Sequence, residues 1–284
     1  MLGAIEAGGT KFVLAVSDNN LENIERISIP TTLPQETFAK VFDFFDKYEL
    51  EAIGIGSFGP IDINKKSATY GYITSTPKPG WKNTDFLGKM KERYNIPISW
   101  TTDVNAAAYG ELKKGSATDE KSCLYLTVGT GVGGGAVINE KPLEGYSHPE
   151  MGHILVKPHP KDSFSGTCPY HKNCLEGLAS GPAIEKRYNK KAETLTDTDE
   201  VWQIEAYYLA QALMTYTLTL GPEKIILGGG VMHQKQLFPL IREQYRELMN
   251  GYVETPDLEE YIVPPKLSDN AGLTGCLLLA KEEL

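Results

Sequence analysis

Cysteine is scarce in this sequence, with four in 284 residues. A small secreted scaffold held by disulfides is therefore excluded, and a chain of this length can bury a sizeable core without such staples. Positive charge is short as well. Lys and Arg number 28 against 37 Asp and Glu, for a formal net charge of -9. That balance speaks against nonspecific binding to nucleic acid or to an anionic membrane. No run approaches the roughly 18 unbroken apolar residues that a membrane helix requires. The opening "MLGAIEAGGTK" has no basic region followed by an apolar stretch, so no secretory signal is expected. The pattern G-x-x-x-x-G-K-[ST] is missing, which excludes a P-loop nucleotide site. The expected compartment is a reducing cytoplasm, with no membrane and no nucleic-acid partner.

What is present alternates between strand and helix. Residues 2–6, 11–16 and 25–29 read as strands, the first two joined by the glycine tip "AGGT". Phe38, Val41, Phe42 and Phe45 fall at helical spacing and predict an amphipathic helix over 35–47. "EAIGIGSFG" reads as a buried strand running into a glycine turn. Helices are expected at 84–94 and, rich in alanine, at 103–114. A second strand–glycine–strand unit, "LYLTVGTGVGGGAVI", covers 124–138. Residues 139–175 read as loop. A long helix is expected at 199–220, with acidic residues at its start favoured by the macrodipole. A buried strand at 224–230 and helices at 236–249 and 270–283 complete the chain. This alternation defines an α/β class.

One unit recurs. "IEAGGTKFVLAV" and "LTVGTGVGGGAVI" are both strand, glycine-threonine tip, strand, and they open the two halves of the chain. Two such tips facing one cleft would offer backbone N–H groups to an anion, and glycine keeps side chains out of the way. "GIGSFG" and "GTGVGG" also fit G-x-G-x-x-G, but a dinucleotide fingerprint needs a helix afterwards. The first is followed by "PIDIN" and the second by "GAVIN", so neither qualifies.

"CPYHKNC" (168–174) sets two cysteines and a histidine within seven residues. Cys168, His171 and Cys174 suit Zn²⁺, which takes four ligands in a closed structural site. The fourth candidate is His153 or His159, and spacing does not choose between them. A Cys168–Cys174 disulfide and plain buried thiols are the alternatives; a reducing compartment disfavours the first. Cys123 and Cys276 lie in apolar runs and read as core.

In order along the chain, "IEAGGTK", "TDVNAAAYGE", "LTVGTGVGGGAV", "EMGHI", "CPYHKNCLEGLASGPA" and "ILGGGV" resemble the ROK family of sugar kinases and repressors, within the actin-like ATPase superfamily. Glu6 in "IEAGGTKF", where the family's glucokinases usually carry Asp, and the C-x-x-H-x-x-C form are similar to the bacterial fructokinase branch. The resemblance implies a two-lobed actin-like ATPase (ribonuclease H-like) α/β fold with a zinc-stapled loop. It puts an N-terminal lobe at 1–118, completed by the C-terminal helix 270–284, and a C-terminal lobe with the zinc loop at 119–269.

It also implies roles. Asp103 would be the general base that takes the proton from a sugar hydroxyl; read by itself, an Asp at a helix start is an N-cap. Thr102 stands where the family usually has Asn. Glu150, His153 and Glu176 would hydrogen-bond sugar hydroxyls. Gly8, Gly9, Thr10 and Lys11 would meet the ATP phosphates, with Thr130 and Gly131 opposite. Pro182 and the run Gly229, Gly230, Val231, Met232, His233 and Gln234 would hold the adenosine. Glu6 would lie near Mg²⁺, through water. His153 would complete the zinc site with Cys168, His171 and Cys174. The implied activity is ATP-dependent phosphorylation of fructose by a homodimer. Another hexose (mannose, glucose or an N-acetyl sugar) is the alternative substrate. A sugar-responsive repressor fits poorly, because the charge is acidic and only three residues precede Ala4, leaving no helix-turn-helix ahead of the first hairpin.

Overall fold

The computed structural model describes residues 1–22, 25–196 and 200–284. The first half runs β1 (Leu2–Ala7), β2 (Lys11–Ser17), β3 (Glu25–Pro30), α1 (Pro34–Phe45), β4 (Ala52–Ser57), β5 (Tyr72–Ile73), β6 (Thr84–Asp85), α2 (Phe86–Arg93), β7 (Ile98–Thr102) and α3 (Asp103–Lys114). The second runs β8 (Cys123–Val128), β9 (Val132–Ile138), β10 (Lys141–Pro142), α4 (Leu175–Ala179), α5 (Gly181–Tyr188), α6 (Val201–Leu220), β11 (Lys224–Gly228), α7 (Leu237–Met249), α8 (Leu258–Tyr261), β12 (Ile262–Val263) and α9 (Ala271–Glu282).

The recurrence in the sequence becomes a recurrence of architecture. One sheet has the order β3-β2-β1-β4-β7 and the other β10-β9-β8-β11-β12. In each, a glycine hairpin is antiparallel and its first strand pairs in parallel with the next strand inward: β1 with β2 and β4, β8 with β9 and β11. Such central strands are covered on both faces, which is why "LGAIEA" and "CLYLTV" are almost continuously apolar rather than alternating.

α3 and α9 pack together between the sheets, and small residues set how closely. A side chain at Gly275 would strike the Ala106 carbonyl, and one at Gly54 the Cys276 carbonyl. α9 therefore lies against β4 although it closes the chain. Apolar clusters flank each sheet, one around Phe12, Phe38 and Trp81, another around Trp202, Leu209 and Tyr245. A third, rich in alanine, fills the space around α3 and α9 and includes Cys123 and Cys276.

Several expected boundaries shift for local reasons. The helix expected from residue 84 begins at Phe86, because Thr84 and Asp85 pair with β5 and the Asp85 carboxylate accepts the Gly88 N–H at 2.8 Å. The segment 139–175 is more ordered than loop: it holds β10, a 3-10 turn at Met151–His153, and a bridge between Leu155 and Cys174. The helix expected from residue 199 is observed as α6; Asp199 itself lies outside the described residues. α4 and α5 were not expected, although Ser180 caps α5 and Pro182 occupies its first turn, an ordinary start signal. Among the described residues no helix is long and apolar enough to cross a membrane.

Candidate active site and metal centre

β7 delivers Asp103 to the start of α3. The cap of that helix is Thr102, whose hydroxyl accepts the Asn105 N–H at 3.1 Å. Asp103 is thus released from the capping role its position suggests. Its Oδ1 accepts the adjacent Val104 N–H, at 2.9 Å. Burial pushes its carboxyl up to about 6, the Glu150 charge adding to the rise while the Val104 N–H and His148 oppose it.

Glu6, on β1, shares the site. Its Oε2 is buried without a hydrogen-bond partner among the described residues, and Gly272 of α9 leaves room for its carboxylate. Burial first, then the charge of Asp103, push it up to about 7, with Lys11 opposing.

The first glycine tip is held rigidly. Gly8 N–H donates to the Lys11 carbonyl at 3.0 Å; Thr31 donates its hydroxyl to the Gly8 carbonyl at 2.7 Å and its N–H to the Thr10 carbonyl at 2.9 Å. Gly9, Thr10 and Lys11 are left exposed. At the second tip, Gly129 N–H donates to the Gly131 carbonyl and Gly181 N–H to the Gly129 carbonyl, both at 2.8 Å. Thr130 is exposed.

Gly181, which opens α5, and the segment after β11 converge on this second tip. Gly229 has φ +91°, and a side chain there would strike the Val128 carbonyl. Of the six residues from 229 to 234, Val231 and Met232 turn their side chains into the core. Only backbone there, with exposed Gly230 and His233, is free to meet a ligand. Pro182 is exposed beside them. Gln234 is partly buried and donates to the Ala192 carbonyl at 3.3 Å.

On the other side of Asp103, Glu150 ends the loop from β10. Burial raises its carboxyl above the ordinary value; His153 lowers it and Glu176 raises it. Glu176, on α4, accepts the Val132 N–H at 3.1 Å through Oε2, and its Oε1 lies 4.0 Å from His153 Nε2. It ties the second tip to the histidine.

The opposite edge of the His153 ring meets sulfur. Nδ1 lies 3.7 Å from Cys168 Sγ and 3.6 Å from Cys174 Sγ, and His171 Nδ1 is 3.8 Å from Cys168 Sγ. One ligand atom from each of His153, Cys168, His171 and Cys174 falls within 4.8 Å of all the others. Zinc bonds of about 2.0–2.3 Å imply tetrahedral edges of roughly 3.3–3.8 Å, so the donor set fits the ion. His159 is elsewhere: its ring packs edge-on against Tyr207 and its Nδ1 accepts the Lys161 N–H at 3.2 Å. All four cysteines are free thiols, so Cys168 and Cys174 form no disulfide.

Sequence reasoning missed two contributors. The cap is Thr102, which the order Thr-Asp before an alanine-rich helix allows. His148, buried beside Glu150, is the first histidine of "SHPEMGH", and only the second drew notice.

Duplicated hairpin sheets, each opened by a glycine tip, with a buried carboxylate at the start of α3, match a two-lobed phosphotransferase of the actin-like ATPase class. Within that class the chain belongs to the ROK family, whose model matches residues 2–283. It is 52% identical to a fructokinase of Pediococcus pentosaceus, over 100% of this chain and 99% of that one. It is 48% identical to a fructokinase of Streptococcus mutans, over 99% and 98% of the two chains. Its structure is similar to that of a ROK hexokinase from Thermus thermophilus, at TM-score 0.81 and 26% identity, over 99% and 98% of the chains.

Proposed function

We propose that this chain transfers the γ-phosphoryl group of ATP to the 6-hydroxyl of D-fructose, giving ADP and fructose 6-phosphate. The observation that carries this reading is the full-length similarity, at 48–52% identity, to fructokinases. The site supplies the chemistry. Asp103, buried at the start of α3, accepts the hydroxyl proton as the oxygen attacks the γ-phosphorus. The bond to the ADP oxygen breaks as the new P–O bond forms. Glu150, His153 and Glu176 orient the sugar, each carboxylate able to accept from two hydroxyls. The tips at Gly8–Lys11 and Thr130–Gly131 hold the phosphates, with Pro182 and the 229–234 backbone beside the adenosine. Phosphoryl transfer depends mainly on positioning and charge stabilisation, which a cleft between two lobes provides.

Glu6 fits Mg²⁺: its buried oxygen lacks a partner among the described residues, and Mg²⁺ keeps much of its water, so a carboxylate can serve through a bridging molecule. Bound there, the ion neutralises phosphate charge. The Cys168, His171, Cys174 and His153 set would hold zinc in a structural role; His153 turns Nδ1 to the two thiols and Nε2 toward Glu176. A metal held there would fix the loop that carries Glu150, His153 and Glu176. Thiolate ligands persist in a reducing compartment, the cytoplasm, and the working unit is a homodimer. An ADP-release assay over fructose, mannose, glucose and N-acetyl hexoses tests the reading. Fructose should give the highest kcat/KM, and a clear preference for any other sugar overturns the substrate assignment.

A further inference from the structure

His148 takes no part in the metal cluster and, apart from its electrostatic effect on Asp103, has no role in the chemistry above, yet it is 7% exposed. Its Nε2 accepts the backbone N–H of Ile61, 3.0 Å away and 87 residues earlier in the chain. Accepting there requires a bare Nε2, so the neutral ring carries its proton on Nδ1. Nδ1 lies 3.4 Å from the Pro149 carbonyl and 3.6 Å from Glu150 Oε1. The second distance is too long for a hydrogen bond, so the ring edge sits beside the carboxylate without bonding it.

Gly59 completes the contact. A Cβ at that position would lie 3.3 Å from Glu150 Oε1 and 3.4 Å from His148 Cε1. Gly59 and Ile61 belong to the turn after β4 in the first sheet's lobe, whereas His148 and Glu150 belong to the loop after β10 in the second. The ring is therefore a polar bridge between lobes, seated next to one sugar carboxylate. Ile61 N–H is a buried donor, and a buried donor without a partner is costly, so the imidazole is not replaceable by an apolar side chain of the same size.

We infer that His148 is a positioning residue for the sugar: it latches the Glu150 loop onto the 59–61 turn of the opposite lobe and steers the Glu150 carboxylate. This rests on the reading of Glu150 as a sugar contact. The latch is local to that side of the cleft. Among the described residues its partners are Ile61, Pro149 and Glu150 rather than either glycine tip, so its loss should weaken the hold on the sugar and leave nucleotide binding alone.

Two measurements test it. In protein labelled with ¹⁵N-histidine, the His148 signals are identified by their loss in His148→Gln. Nε2 should be unprotonated and Nδ1 protonated at neutral pH; a proton on Nε2 overturns the latch, whichever sugar the protein phosphorylates. Kinetics with fructose and ATP follow. His148→Asn is too short to reach Ile61, and its fructose KM should rise about tenfold, the weight of one buried hydrogen bond. His148→Gln retains an acceptor at the reach of Nε2 and should rise less; it also keeps the test open should the Asn variant fail to fold. ATP KM should stay within about twofold in both. An unchanged fructose KM in both variants overturns the proposal, as does an equal rise in the two KM values. Failure of the wild type to use fructose sinks the substrate assignment instead, and the tautomer still decides the latch.

Discussion

At the scale of the single residue, Asp103 shows how neighbours decide a role. Thr102 accepts the Asn105 N–H and caps the helix, so the Asp103 carboxylate is not needed as the cap. Asp103→Asn should leave folding and ATP binding intact while kcat falls at least about 10²-fold, the lower range for a lost general base. A variant within about threefold of wild type would remove Asp103 from that role. The pH profile has a direction too. A base works when deprotonated, and burial has pushed this carboxyl up to about 6, so kcat/KM should fall as pH drops through that value. Glu6 lies in the same cleft, pushed up to about 7, so the apparent inflection belongs to the coupled pair. Stopped assays from pH 5 to 8 read it (values chosen to span about one unit either side of the pair). A flat profile contradicts a buried base.

At the scale of the element, the two glycine hairpins were legible because strand alternation and tip glycines are local signals. α5 was not, although its Ser-Gly-Pro start was present, because eight residues give too little periodicity. Thr10→Ala and Thr130→Ala should each raise ATP KM more than fructose KM; calorimetry with unchanged ATP affinity in both contradicts two phosphate-binding tips. α6 carries a different feature. Glu205 is fully buried and neither carboxylate oxygen has a hydrogen-bond partner among the described residues. Burial holds its carboxyl well above the ordinary value, with Arg187 opposing. The folded chain then keeps a proton that the unfolded chain releases once pH passes the ordinary carboxylate value near 4.5. Stability from this group is full below that value and declines as pH rises. Glu205→Gln should raise Tm at neutral pH, by a margin that grows toward alkaline pH. Calorimetric scans across pH in which the margin stays constant or shrinks would refute the neutral-carboxyl reading.

At the scale of the whole molecule, the metal cluster joins two segments, the 3-10 turn with His153 and the 168–174 stretch, whose last residue, Cys174, leads into α4 with Glu176. The purified protein should hold about one zinc per chain. Chelation should raise fructose KM before ATP KM, because the ligands sit among the sugar contacts and away from the first glycine tip. His159→Ala should keep its zinc, since that ring packs on Tyr207, whereas His153→Ala should lose it. Metal analysis showing the reverse would remove the link between zinc and sugar.

The sequence by itself determined the α/β class, the duplicated hairpin unit, the core placement of Cys123 and Cys276, and three donors of the metal cluster. Each of these rests on residues within a few positions of one another, where spacing alone sets geometry. The fourth donor was beyond it: His153 and His159 are equally plausible by spacing, and only the packing of the loop turns one toward the thiols and the other onto Tyr207. The same holds for Thr102 against Asp103 as the cap, for the burial of Val231 and Met232 within a segment read as nucleotide-facing, and for His148 reaching Ile61. For His153 against His159 and Thr102 against Asp103, two side chains able to fill one role compete for one place. Contacts between residues distant in the chain decide between them, and a linear pattern does not carry those.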